Sequence, residues 1–105
     1  MNIKEYAAWT EETWVAPKAY IGDVALVGLG LAGETGEVVE VLKKFLRDGR
    51  LNRDKLEAEM GDVIYYWARL CQMFAFDPED IMLANQKKLI GRLMRGTLNG
   101  SGDDR

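Results

Sequence analysis

This chain has no histidine and only one cysteine, Cys71, in 105 residues. The missing histidine removes Ser-His-Asp and Cys-His nucleophilic chemistry and His-ligated zinc. Carboxylates, lysine and tyrosine are left as the acid–base groups. One cysteine cannot close an intrachain disulfide, and Cys71 lies in the apolar run from Tyr65 to Phe76, where it reads as a buried bystander. Positive charge is also short. Fourteen Lys and Arg against 17 Asp and Glu leave a net charge of −3, contrary to the basic footprint of a general nucleic-acid binder. Long apolar runs are absent: the most apolar stretch, Val24 to Gly33, is half of the roughly 20 residues that a membrane span needs. Met1 to Ala16 is studded with charges and aromatics, unlike a signal peptide. The expectation is a soluble, cytoplasmic protein with no membrane or nucleic-acid partner. At 48 % hydrophobic residues, the chain forms one globular domain over 1–105 and is too short for two.

What is abundant is carboxylate at helical spacing. Glu34 and Glu37 stand three apart, and so do Glu59 and Asp62. On a helix each pair shares one face. If the two helices pack antiparallel, four carboxylates meet in one place. Two carboxylates about 5 Å apart repel by roughly 3 kcal/mol at an effective dielectric of 20. A hard divalent cation would relieve that, and all-oxygen ligation points to magnesium, with manganese as substitute. Glu-x-x-Glu alone reads more readily as a solvated helix face. Two such pairs on successive helices, set among glycines and apolar residues, are far more specific.

The remaining pattern is helical throughout. Asn2 caps a first helix carrying Ile3, Tyr6, Ala7, Thr10, Thr13 and Trp14 at its period, and Pro17 ends it or starts the next. Tyr6, Trp9, Trp14 and Tyr20 read as core or interface aromatics. A long second helix runs from about Gly22 to Arg47 through Gly28, Gly30, Gly33 and Gly36. Each helical glycine costs up to about 1 kcal/mol against alanine. Gly30, Gly33 and Gly36 fall near one face, where missing side chains admit another helix or a ligand. Val24 to Leu31 is apolar all round and demands cover on more than one side, which implies self-association. Gly28-Leu-Gly-Leu-Ala-Gly33 matches the dinucleotide-binding fingerprint, but no second strand follows it, so the match is rejected. Gly49 ends the helix, Asn52 or Asp54 caps a third running to about Phe74, and Asp77-Pro78 opens a fourth. The fourth helix packs through Ile81, Leu83, Ala84, Leu89 and Leu93. It carries Asn85, Lys88 and Arg92 on one face, with Arg95 close behind. The tail from Gly96 to Arg105 has too little apolar surface to offset backbone ordering, roughly 1–2 kcal/mol per residue, and is expected to be mobile.

Together the stretches Leu29–Val39, Glu59–Tyr66 and Asn85–Leu89, with Arg92, Arg95-Gly96 and Gly100–Arg105, resemble the MazG-like all-α nucleoside triphosphate pyrophosphohydrolases. The likeness runs over nearly the full length and is closest to short, stand-alone members of bacterial or phage type. One departure is Gly33, which stands where many members carry a further glutamate. The resemblance implies an all-α four-helix bundle assembled as a homodimer or homotetramer. It also implies hydrolysis of a nucleoside triphosphate between the α and β phosphates, releasing a monophosphate and pyrophosphate. Glu34, Glu37, Glu59 and Asp62 would hold Mg2+ (or Mn2+), and with no histidine available Glu34 or Glu37 would act as base. Asn85, Lys88, Arg92 and Arg95 would hold the phosphates, with Ser101 and Arg105 of residues 96–105 closing over them as a lid. The competing readings are a non-catalytic helical oligomerisation or regulatory module, and a hydrolase of an alarmone or damaged nucleotide.

Overall fold

A computed structural model describes residues 1–15 and 20–105, the side chain of Tyr20 excepted. Among the described residues there are four helices and no strand: α1 (Ile3–Thr13), α2 (Tyr20–Asp48), α3 (Arg53–Met73) and α4 (Pro78–Arg95). The rejected dinucleotide fingerprint lies wholly inside α2. Pro17 falls outside the described residues.

Local chemistry sets the helix ends. The Asn2 side chain accepts from the Glu5 amide at 2.8 Å while the Glu5 carboxylate accepts from the Asn2 amide, a reciprocal capping box. Asn52, not Asp54, caps α3, accepting from the Lys55 amide. Asp77 caps α4 with Pro78 in its first turn, and Lys4 of α1 pairs with Asp77 at 3.2 Å. Gly49, at φ +74°, turns the chain after α2.

The four-residue connection from Asp48 to Arg53 folds α2 and α3 back on each other, and these two make the most extensive contact in the molecule. Val27 and Val41 of α2 are buried, as are Ala68 and Cys71 of α3, and burial pushes the Cys71 thiol up from its ordinary value. α1 packs on α3 through a buried polar joint. The Arg69 guanidinium donates to Thr10 Oγ1 at 3.2 Å, pairs with Glu11 at 3.2 Å and lies 5.0 Å from the Trp14 ring centre. A charge this deeply buried persists because it is paired.

α4 departs from expectation. It packs mainly against α1, so the chain by itself makes a three-helix unit with α4 alongside, and not a closed four-helix bundle. Of the residues assigned to its packing face, Ile81 is half-buried, whereas Leu83, Ala84, Leu89 and Leu93 are exposed. The radius of gyration is 16.6 Å, against about 13 Å for a compact domain of this length. Beside α2 and α3 runs an open apolar groove of about 540 Å³, flanked by Leu31, Val38, Val63, Trp67 and Met82. Leu29, on the outer side of α2, is 72 % exposed, so the apolar Val24–Leu31 segment is covered on one side only.

Candidate functional site

The site follows from how closely α2 meets α3. A Cβ at Gly30 would stand 2.3 to 2.7 Å from three atoms of the Tyr66 ring. The ring of α3 therefore occupies the space that any other residue at position 30 would fill. Gly33 and Gly36, expected on the same approach face, meet nothing within 4 Å, so close approach within the chain rests on Gly30 alone. One turn beyond Gly30 on α2 is Glu34, and one turn before Tyr66 on α3 is Asp62. The close crossing sets these side chains against each other.

Carboxylate oxygens of Glu34, Glu59 and Asp62 lie within 4.8 Å of one another. Glu34 and Glu59 are half-buried and Asp62 is exposed. Desolvation, followed by the charge of Asp62 and a hydrogen-bonding contact with Glu59, raises the Glu34 pKa above its ordinary value. Glu37 stands outside the trio and exposed, but close enough for its charge to add to that shift. Among the described residues, no lysine or arginine pairs with any of the three acids. Three converging, uncompensated carboxylates form a hard oxygen donor set of the kind that magnesium or manganese takes.

Tyrosines border these acids, a feature that the reading of the sequence passed over. The Tyr65 hydroxyl and Thr13 Oγ1 are 2.8 Å apart. Tyr6, tilted at 38° against the half-exposed Trp9 with ring centres 5.6 Å apart, has its pKa raised by burial and then by the proximity of Tyr65 and Asp62. The signal was present, since Tyr65 follows Asp62 by three residues on the same helical face.

The basic residues lie elsewhere. Among the described residues, no hydrogen bond or ion pair joins Asn85, Lys88, Arg92 or Arg95 to the acid trio, consistent with α4 packing mainly on α1. Lys88 and Arg92 instead engage the tail: Arg92 donates to the Asp103 carbonyl at 2.8 Å and to its carboxylate at 3.2 Å, and Lys88 stands 3.7 Å from the same carboxylate oxygen. Arg105 donates to the main-chain carbonyls of Thr97, Leu98 and Gly102, and its own main-chain oxygen accepts from Thr97 and Arg95. Ser101 is exposed beside it. The tail is thus folded back on the end of α4. Hydrogen bonds replace the apolar contacts it lacks, with Gly96 and Gly102 supplying positive φ angles of 71° and 88°.

Four helices and no strand among the described residues, with a cluster of oxygen donors on two antiparallel helices, define the class. The profile of the MazG nucleotide pyrophosphohydrolase domain matches residues 24–95, which span both acidic pairs and the whole of α4. The chain belongs to this family. It is also 36 % identical to the Gene 37 protein of Mycobacterium phage L5 over 114 residues, with both chains covered completely. No solved structure matches it.

Proposed function

We propose that the chain hydrolyses nucleoside or deoxynucleoside triphosphates between the α and β phosphates, giving a nucleoside monophosphate and pyrophosphate. The observation that carries this reading is the convergence of Glu34, Glu59 and Asp62 without a protein cation to balance them. These three, with Glu37 one turn along α2, would hold Mg2+ (or Mn2+), which when bound neutralises phosphate charge and lowers the pKa of water. Glu34 is the first candidate for general base, because burial and then the neighbouring acids already raise its proton affinity, and Glu37 is the second. Lys88, Arg92 and Arg95, with Asn85, retain the phosphates that leave, and Ser101 and Arg105 of the tail close over them once the contact of Asp103 with Arg92 has given way.

Among the described residues, no lysine or arginine of α4 pairs with the acids, which is compatible with an assembled enzyme. The radius of gyration and the open groove beside α2 and α3 favour a second copy of this chain as the missing cover, in a homodimer or homotetramer. The test is a panel of canonical and modified nucleoside triphosphates and an alarmone, incubated with magnesium, with products resolved by chromatography. Monophosphate and pyrophosphate support the proposal. Diphosphate and phosphate would contradict it, and no turnover alongside retained magnesium binding would favour a regulatory module.

A further inference from the structure

The basic face of α4 already holds an anion, and it comes from the same chain. Arg92 is buried, with 6 % of its side chain exposed, yet the Asp103 carboxylate that it meets is 87 % exposed. An ion pair open to water on one side is screened and readily exchanged. Its geometry is also incomplete. Asp103 gives Arg92 one carboxylate oxygen and one carbonyl, both on Nη2, while the Arg92 Nε is buried without a partner. An arginine fork is best filled by an oxyanion that meets two of its donors together, as phosphate does. Lys88, directed at the same Asp103 oxygen, would add a second cation to that oxyanion. The cations also hold the Asp103 carboxyl below its ordinary pKa, so it stays charged.

We propose that Asp103 is an internal competitor for phosphate: the loop 96–105 occupies the Lys88–Arg92 pair until an oxyanion of higher charge displaces it. The idea rests on the reading of this face as a phosphate site, and adds that the face is closed by its own chain before substrate or product arrives. Asp103 can leave without unravelling the loop. The closure by Arg105 onto the carbonyls of Thr97 and Leu98 does not involve Asp103, and Arg95 still holds the Arg105 main-chain oxygen when Asp103 swings away. Asp104, its neighbour, makes no hydrogen bond or ion pair among the described residues and serves as the control.

The experiment titrates inorganic pyrophosphate into the protein by calorimetry, with chelator present so that no metal at the carboxylates contributes. Asp103→Asn should bind pyrophosphate more tightly than the wild type, by about two- to fivefold, the factor carried by an exposed ion pair. Asp104→Asn should bind as the wild type does, and Lys88→Ala more weakly. Equal or weaker binding by Asp103→Asn, with Lys88→Ala still impaired, would overturn the competitor and leave the phosphate face standing. Unchanged binding by Lys88→Ala would overturn both.

Discussion

The α2–α3 pair and α4 are similarly rich in charge, yet the chain covers the apolar residues of the pair far better than those of α4. In the pair, an antiparallel crossing pressed together at Gly30 and Tyr66 brings Glu34 to Glu59 and Asp62, which lie on the next helix of the chain. α4 lies mainly along α1, exposes Leu83, Leu89 and Leu93, and turns its basic face to its own tail. The difference separates two halves of the proposed chemistry: a single chain brings the acids together, whereas the basic residues of α4 make no contact with them among the described residues.

The largest effect expected from breaking the first half is on turnover. Asp62→Asn or Glu59→Gln should remove about 3 kcal/mol or more of transition-state stabilisation, at least about a hundredfold in rate, in a steady-state assay. Lys88→Ala, in the second half, should leave magnesium-dependent stability intact and act on phosphate affinity instead. Next in size is the crossing itself. Gly30→Ala forces a Cβ into the Tyr66 ring, and overpacking of this kind costs about 1–3 kcal/mol in denaturant unfolding. The gain in helix propensity, up to about 1 kcal/mol, offsets only part of it.

Smaller, and opposite in sign, are the effects at Gly33 and Gly36. Each meets open space in the chain, so alanine at either position should stabilise an isolated protomer by about 0.5–1 kcal/mol. Loss of stability together with a shift toward monomer in light scattering would mean that another helix lies against this face, joining the two halves through a partner. The smallest effect is at the start of α4. The Glu79 amide and then Lys4 hold Asp77 below its ordinary pKa. Its contribution is therefore present above the usual carboxylate range and lost as pH falls through the depressed value. Hydrogen exchange of α4 should rise below about pH 4, and Asp77→Asn should remove that step.

Much of this was legible in the sequence because it is local. The caps at Asn2 and Asp77 and the turn at Gly49 depend on residues within a few positions of each other. The acidic pairs needed only helical spacing and a short connection. What escaped depended on how each helix is rotated about its axis. Three glycines share a face by count, yet Gly30 alone meets a neighbour, because the crossing point falls there. Glu37 fits the pattern as well as Glu34, but one turn further along α2 carries it out of the trio. Arg69 sits in an apolar run and gave no sign of its burial, which depends on Thr10, Glu11 and Trp14 arriving from α1. The apolar period of α4 reads as a buried face, but a period states which residues share a side and not whether this chain covers it. The tail's contacts were not legible in its low apolar content, because Arg105 and Arg92 reach it through carbonyls and a carboxylate.

The claim that α2 and α3 form a complete cation site on their own is tested most directly by titrating magnesium calorimetrically into the wild type, Asp62→Asn, Glu37→Gln and Lys88→Ala. Saturable binding should be present in the wild type and Lys88→Ala and lost in Asp62→Asn, with Glu37→Gln intermediate. Undiminished magnesium affinity in Asp62→Asn would contradict it.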